Sequence, residues 1–437
     1  LFAGVTADTY QGTGNVISAT NTGGSTVAYY SSADKYVGGT SSTYNNQSYQ
    51  NGDVIGIALD MDGKKVTYYK NNTSQGAIDL VDTTNGHLIV FAVGTGQALT
   101  AYINFGQQEF TYTPPTGYKK ICSANIVPKD PIIIRPQKHF DCLLYTGNNA
   151  SGRKITGLEF KPDFVWFKKR DNGSQNHTLY DSVRGAGKRL MLPSNSEEGT
   201  VSDELTSFNK DGFTIDTDNF QNENGSNYVA WCWKAGGAAV SNTDGDITSS
   251  ISANQTAGFS IVTWTGNGSN STVGHGLGKA PKVVICKLRD TTTQDWFFMT
   301  GEITGDRGKY FKFNTTGDIV NDIHTFPATA TTSTVFTVGG EDGGNGSNGN
   351  GSKYVGYCWS EIPGYSKFGK YKGNGSADGS YVHCGFSPRL IITKRLGTSN
   401  WYIWDTVREP LNDNNSPLQA NDAGSEPANY DNSIDIL

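Results

Sequence analysis

Methionine is scarce in this 437-residue chain, with 3 in total, and charged residues make up 17%, below the roughly 25% of an average soluble protein. No run of about 18 apolar residues occurs, so no helix is long enough to cross a membrane. No basic stripe is present either. The formal charge is 35 − 41 = −6, and the longest basic cluster is Lys168-Lys169-Arg170, at the end of a strand-like segment. A generic nucleic-acid binder needs many more cations to neutralise phosphates. The six cysteines (Cys122, Cys142, Cys232, Cys286, Cys358 and Cys384) form no CxxC pair, which removes the common zinc and thioredoxin-like motifs. Helix formers never accumulate into a long amphipathic run.

What is abundant points the other way. There are 54 Gly, 22 Tyr, 20 Phe and 8 Trp, with Thr, Ser and Asn filling most of the remainder. Aromatic and β-branched side chains fit a pleated, half-buried surface, and Gly and Asn supply the positive-φ positions of tight turns. The chain reads as all-β, long enough for two to four domains. Several cysteines sit inside strand-like runs, as in Trp231-Cys232-Trp233, where a free thiol acts as a small hydrophobe. Buried free thiols are expected, with pairing of one or more left open. Leu1-Phe2-Ala3-Gly4-Val5 reads as the middle of a strand and Ile434-Asp435-Ile436-Leu437 as the start of one, so the sequence reads as a window on a longer polypeptide.

From Leu1 to about Tyr118 the strands are short and separated by turn clusters such as Asn21-Thr22-Gly23-Gly24. Asp60-Met61-Asp62-Gly63-Lys64 joins two alternating runs, a hairpin signal. Asn51-Gly52-Asp53-Val54-Ile55-Gly56-Ile57-Ala58-Leu59-Asp60, Tyr68-Tyr69-Lys70-Asn71-Asn72 and Tyr102-Ile103-Asn104-Phe105-Gly106-Gln107 with Phe110 resemble three strands of the SPRY domain. The resemblance implies a bent two-sheet β-sandwich used for recognition and not for chemistry, here without the family's opening strands.

Beyond a linker at 119–138 with Pro128, Pro131 and Pro136, the chain repeats itself. Phe140, Phe259 and Phe368 open three blocks, spaced by 259 − 140 = 119 and 368 − 259 = 109 residues. Each opening strand runs into a Gly-Asn turn (Gly147-Asn148, Gly266-Asn267, Gly373-Asn374). Each block then has Gly with Leu or Phe, a Pro, and a strand ending in cations: Phe164–Arg170, Val283–Lys287 and Leu390–Arg395. Tyr228–Trp233 parallels Tyr354–Trp359. In that late strand Val229, Trp231 and Trp233 share one face, and Ala230 and Cys232 the other. A strand packed on both sides accounts for the pattern. Periods near 110 residues are whole domains in tandem. These motifs, with Asp181-Ser182-Val183-Arg184 and Asp405-Thr406-Val407-Arg408, resemble modules of tailed-phage virion proteins, marine phages especially. That resemblance implies a structural or host-contacting role with no catalytic residues.

The search for chemistry finds little. Gly274–Ala280 and Gly185–Arg189 approach a P-loop but lack its Ser/Thr and its helix. Their simpler reading is a turn between strands. His177 and His275 fall in polar loops and read as solvated. Glu197-Glu198 and Asp203-Glu204 form the densest acidic cluster, yet adjacent acids in a Ser/Asn-rich loop read as solvated and not as the paired carboxylates of a glycosidase. No cofactor is expected. A structural calcium is the least remote one, through Asp216, Asp218 and Asn219 or Asp244 and Asp246, although the EF-hand pattern is missing. The repeated Asp-[Ser/Thr]-Val-Arg reads as a strand-end ion pair that fixes a loop. Trp401, Tyr402 and Trp404 are the candidate ligand platform for a sugar ring, with inward core packing as the alternative.

The expectation is an all-β chain of tandem, jelly-roll-like β-sandwiches with a SPRY-like front end. The boundaries are 1–118, a linker at 119–138, then repeats at 139–237, 238–362 and 363–437, the first and last domains incomplete. The expected function is that of a non-enzymatic virion surface or structural protein (phage fibre, tail-associated protein or capsid appendage) that contacts other virion proteins and host-surface glycans. It would be extracellular and a homo-oligomer, with trimers common in such fibres. A secreted bacterial adhesin or filament subunit and a glycan depolymerase are the alternatives.

Overall fold

The computed structural model describes residues 2–7, 26–38, 40–81, 87–92, 102–106, 108–120, 133–171, 173–291, 294–305, 308–340, 346–376, 379–412, 414–427 and 433–436. The Asn21–Gly24 turn, Gln107, Cys122, Pro128 and Pro131 lie outside them. Residues 1–127 and 128–437 form two compact units, each described by itself.

The first unit is a two-sheet sandwich. Its strands are β1 (Phe2–Ala7), β2 (Thr26–Tyr30), β3 (Asp34–Val37), β4 (Thr40–Thr43), β5 (Ile55–Asp60), β6 (Lys65–Lys70), β7 (Thr73–Asp79) and β8 (His87–Ala92). They order as β4-β3-β2-β1-β8 and β5-β6-β7. Tyrosine fills the space between the sheets. The Tyr29 ring lies 5.2 Å from Tyr44, 4.9 Å from Tyr49 and 5.7 Å from Tyr68. Buried phenols need partners, and backbone carbonyls provide them: Tyr49 donates to Tyr29 at 3.1 Å and Tyr68 to Val27 at 2.9 Å. The Asp60–Lys64 turn closes the β5–β6 hairpin, with the Gly63 amide donating to Asp60 Oδ1 at 2.7 Å. Among the described residues, 102–106 and 108–110 form no strand where the closing strand is expected. Asn104 instead folds the chain into a turn, its side chain accepting from the Gly106 amide at 2.9 Å and donating to the Gln108 and Glu109 carbonyls. Local Asn hydrogen bonds of this kind compete with a sheet ladder.

In the second unit the first module has β9 (Phe140–Thr146), β10 (Arg153–Thr156), β11 (Phe164–Lys169), β12 (His177–Asp181), β13 (Lys188–Leu192), β14 (Gly199–Thr200), β15 (Leu205–Asn209), β16 (Gly212–Ile215) and β17 (Asn227–Trp233). The second has β18 (Val240–Asn242), β19 (Ser249–Asn254), β20 (Phe259–Thr265), β21 (Ser271–Gly274), β22 (Val283–Leu288), β23 (Phe297–Met299), β24 (Lys309–Lys312), β25 (Val320–Asn321), β26 (Val335–Val338) and β27 (Lys353–Trp359). Their large sheets run β14-β13-β12-β11-β17-β9 and β18-β19-β20-β27-β22-β23-β24-β25, each covered by a smaller sheet, β10-β16-β15 or β21-β26. The order is the same in both: the closing strand, β17 or β27, lies between the opening strand and the strand after the proline. So is the register, with Phe164 opposite Trp233 and Trp166 opposite Trp231, as Val283 is opposite Trp359 and Ile285 opposite Tyr357. The third module shows β28 (Leu390–Lys394), β29 (Trp401–Asp405) and β30 (Leu418–Gln419), a meander equivalent to β11-β12-β13.

Each large sheet is buried on both faces. One face meets its own small sheet: Val165, Phe167, Ala230 and Cys232 pack with Phe213 and Ile215, and Trp264, Cys286 and Cys358 pack with Phe336. The opposite faces of all three modules meet in one further core, which holds Trp166, Trp231, Ile261, Ile285, Tyr357, Trp401 and Ile403. Phe140, Phe259 and Phe368 all lie in or against that shared core. The alternation of large and small residues in β17 and β27 is the trace of these two environments. Cys142, Cys232, Cys286 and Cys358 are buried free thiols, and Cys384 is a half-buried one.

Trp231 is fully buried at the centre of the shared core. Trp231→Ala should therefore destabilise the unit by about 3–5 kcal/mol, and calorimetry of the full chain should show the three modules melting in one transition that moves down together. Separate transitions for the modules would show that the core does not couple them.

Candidate functional site

The densest polar chemistry of the second unit lies at the junctions between modules. At the end of β12, Asp181 and Arg184 are buried and joined at 2.5 Å. Arg184 also donates to the Lys188 carbonyl at 2.9 Å and to Glu198 at 3.0 Å. Glu198 accepts a bidentate pair from Arg289 of the second module, at 2.8 and 3.0 Å, and Tyr357 of β27 donates to Asp181 at 2.8 Å. Burial alone would raise the Glu198 carboxyl, but Arg289 and Arg184 outweigh it and hold it below its ordinary value.

The first module grips the third in the same way. Arg408 pairs with Asp405 at 2.6 Å and donates to the Ser416 carbonyl at 2.8 Å and to Glu426 at 2.6 Å. Glu426 accepts from Arg170 at 2.7 Å, and the Trp231 indole donates to Asp405 at 3.0 Å. Arg170 and Arg289 are equivalent positions, as are Trp231 and Tyr357. The sequence suggests an Asp–Arg pair that fixes a loop; the structure contains that pair and builds a latch between modules around it.

A second set of contacts closes the ring. A lysine at the end of each proline-led strand reaches a backbone carbonyl of another module: Lys168 to Ala423 at 3.0 Å, Lys287 to Asn195 at 3.2 Å and Lys394 to Thr316 at 3.5 Å. The first residue of β12, its counterpart before β23 and the first of β29 follow the same cycle. His177 contacts the Gln419 carbonyl at 3.0 Å, and the Trp296 indole donates to the Met191 carbonyl at 3.0 Å. Trp401 packs edge-on against Phe311 and Phe313 at 5.5 and 4.8 Å. First grips third, second grips first, third grips second. The third junction lacks the polar latch. Counting along the repeat, Thr300, Ile303 and Ile319 stand where Asp181, Arg184 and Glu198 stand, and Leu396 stands where Arg170 and Arg289 do. Ile303 and Ile319 pack against the shared core.

Several residues singled out in the sequence are placed differently from expectation. His177 and His275 are fully buried and not solvated. The Trp166 indole donates to His177 Nδ1 at 2.9 Å, which leaves the proton on Nε2, facing the Gln419 carbonyl. Burial holds this ring well below its ordinary pKa, so it is neutral. Glu198 sits in the latch, and Glu204 is buried against Arg189 and Tyr180; neither is a solvated loop acid. Of the basic run, Lys168 is inside a junction, Lys169 pairs with Glu223 and Arg170 with Glu426. Trp401 and Trp404 are 3% and 5% exposed, with Trp401 in the shared core and Tyr402 half-buried beside Trp404 at 5.5 Å. The flat faces of the two indoles are turned to protein.

The candidate calcium ligands are engaged within the chain. Asp218 caps α1 (Asn219–Asn222), accepting from the Phe220 amide at 2.7 Å. Asp216 accepts from Ser151, Asp244 from Asn242 and Asp246 from Thr272. Among the described residues no group of three or more His, Cys, Asp or Glu converges, and no helix is long and apolar enough to span a membrane. An open groove on the second module is lined by Ser241, Ser250, Thr263, Thr265, Arg289 and Lys353. Ser and Thr at alternate positions of β19 and β20 (Ser250, Ser252, Thr263 and Thr265) are its signal in the sequence.

Residues 135–437 match the family described as a domain of unknown function, DUF7483. The chain belongs to the DUF7483 family. Its one match spans all three modules, in keeping with the core they share. Residues 3–108 match the SPRY domain. No curated protein and no solved structure matches the chain.

Two expectations follow for the DUF7483 region. Arg184→Ala leaves Asp181 buried without its cation and should destabilise by about 3–5 kcal/mol. The combination Asp181→Thr, Arg184→Ile, Glu198→Ile and Arg289→Leu installs the residues of the third junction and should be tolerated better than Arg184→Ala in the same chemical denaturation assay. Burial pushes Lys168 and Lys287 down to about 8. Above that pH the folded chain binds fewer protons than the unfolded one, so these groups add stability as pH rises from 8 towards 10. Lys168→Met should remove its share of the rise, roughly 2 kcal/mol across that window.

Proposed function

We propose that this chain is a non-enzymatic structural protein that carries a recognition domain: a SPRY sandwich borne by a rigid three-module DUF7483 base, as a component of a virion surface such as a phage fibre, tail-associated protein or capsid appendage. The observation that carries the reading is where the charges go. The buried acidic and basic residues that a hydrolase would place in a cleft (Asp181, Arg184, Glu198, Asp405, Arg408 and Glu426) pair within their own modules and are tied across the junctions by Tyr357, Arg289, Trp231 and Arg170. An ordered stack of double-sided sheets suits a load-bearing part better than a catalyst that opens and closes.

Recognition in this reading belongs to the SPRY sandwich and to the Ser/Thr groove of the second module. The groove's hydroxyls, with Lys353 among its lining residues, suit a surface glycan bearing carboxylates, by multiple hydroxyl hydrogen bonds and charge pairing. Burial of Trp401 and Trp404 removes the stacking platform from this scheme. Assembly with other virion proteins and with further copies of the chain is part of the same proposal.

Incubated with host-surface polysaccharide, the purified chain should bind without releasing oligosaccharides. Turnover abolished by one Asp or Glu substitution would overturn the non-enzymatic reading. Antibody raised against the DUF7483 region should decorate phage particles in electron micrographs; label on bacterial envelopes or secreted filaments alone would replace the virion with an adhesin.

A further inference from the structure

One position is repeated at all three junctions and carries a titratable ring at only one of them. His177 opens β12, and Trp296 and Trp401 hold the equivalent places in the second and third modules. The two tryptophans have no proton that pH moves. Trp296 donates to the Met191 and Ser194 carbonyls at 3.0 and 3.2 Å, and Trp401 packs edge-on against Phe311 and Phe313. Histidine is the side chain whose ordinary pKa falls between 5 and 8. Here it is fully buried, and it joins the first module to the third.

Both ring nitrogens are committed. The Trp166 indole donates to Nδ1 at 2.9 Å, and Nε2 carries the ring proton towards the Gln419 carbonyl at 3.0 Å. A second proton belongs on Nδ1, where it would meet the Trp166 N–H head-on, and two donors cannot share that bond. The surroundings oppose the charge as well. Burial, the Lys168 cation on β11 and the Arg408 cation of the third module all disfavour it; the carbonyls of Gln419 and Asp422 act the other way and do not offset them. From β13 comes Leu192, which carries no charge, and from β17 comes Trp231, whose indole donates to Asp405. The carboxylates of these elements are already taken: Asp181 by Arg184, Asp405 by Arg408, and Glu426 by Arg408 and Arg170. Asp422 accepts from the Gly424 amide and acts on Lys168.

We propose that His177 is an acid trigger: a proton taken up at Nδ1 breaks the Trp166 bond and releases residues 418–426 of the third module from β12, opening one junction of the ring. The other two junctions stay closed. Glu198, held below its ordinary pKa, keeps its bonds to Arg184 and Arg289. Trp401 and Lys394 keep the third module on the second. The sign follows from linkage. The opened junction takes up a proton near the ordinary histidine value of about 6.5 and the closed one does not. The closed form is therefore fully favoured above that pH, and each unit below it shifts the balance about tenfold towards the open form. Lys168, lowered to about 8 by burial, is already charged at pH 7, and carboxyl groups ordinarily titrate below about pH 5. The inference is independent of the functional reading above.

The test compares hydrogen exchange in the full chain and in its His177→Gln variant, at matched pH between about 7 and 5. Glutamine can accept from Trp166 and donate to Gln419, yet it takes up no proton. The other histidines and Glu204, which burial raises to about 8, are common to both chains and cancel. The junction is read at 173–181 and 418–426, tied by the Gln175 amide to the Ala423 carbonyl and the Glu426 amide to the Arg170 carbonyl, both at 2.8 Å. At pH 7 the two chains should exchange alike. At pH 5 these segments should exchange roughly thirtyfold faster in the native chain, with 283–288 and 353–359 unchanged. Equal exchange at both pH values would overturn the proposal. Acceleration of all three modules together would do the same, because that is unfolding and not the opening of a junction. Should the variant fail to fold, isotope-labelled histidine in the native chain decides. The His177 ring should gain its second proton over the pH range in which 418–426 loses protection. A charged ring with those amides still protected, or protection lost around a neutral ring, would sink the trigger.

Discussion

The large sheets of the first two modules are covered on both faces, by a small sheet on one and by the other modules on the other, and most of the architecture follows from that. A sandwich on its own buries one face of each sheet and leaves the other wet. Here the second face carries Trp166, Trp231, Ile261, Ile285, Tyr357, Trp401 and Ile403, too much apolar surface to leave exposed,. Removing it from water requires a partner of matching shape, and another copy of the same sheet is such a partner. The modules therefore form one compact unit around a common core, and the large residues on the outward face of each closing strand belong to the assembly of modules. Hydrophobic burial explains that they meet; it is non-directional and does not explain in which orientation.

Orientation is the task of the latches. A buried ion pair adds little stability over a well-packed apolar group of the same size, because both charges lose their hydration. Its effect is to disfavour every arrangement in which one charge meets no partner. Asp181 satisfies Arg184, the Val183 and Arg184 amides and Tyr357 together, so a slip of one module against the next would strand several buried polar groups. The third junction shows the alternative solution. Where Thr300, Ile303, Ile319 and Leu396 stand, the acidic and basic positions have changed together. A lone Arg or Glu would have been the costly outcome, and these four positions carry neither.

Much of this was legible in the sequence, and the part that was not has a physical reason. The all-β class followed from glycine, asparagine and aromatics, and the SPRY-like front end from three short motifs. The repeat followed from Phe140, Phe259 and Phe368, and the two-sided strand from the alternation in Tyr228–Trp233. The buried histidines were misplaced because Gly and Asn neighbours suggest a loop. Strand β12 begins at His177, directly after that loop, and its burial comes from the third module, 242 residues away at Gln419. Glu198 and Glu204 were misread for the same reason: their partners Arg289 and Arg189 are not their sequence neighbours. Tyr102–Phe110 carries a strand motif whose Asn104 found a closer partner in its own backbone. Local pattern reports the element; long-range contact decides what surrounds it.

The described strands of the third module, β28-β29-β30, owe their order to the other two modules. Its three strands have neither a small sheet nor a closing strand among the described residues, and a free three-stranded meander is marginal. The ring supplies what is missing. Trp401 is held among Phe298, Phe311 and Phe313, Asp405 by the Trp231 indole, and Glu426 by Arg170. Each of these contacts acts on the face of β29 that looks into the shared core or on the loops beside it. None acts on the edge of β28. Three described strands that would be marginal alone are thus held in place by contacts with two neighbouring modules.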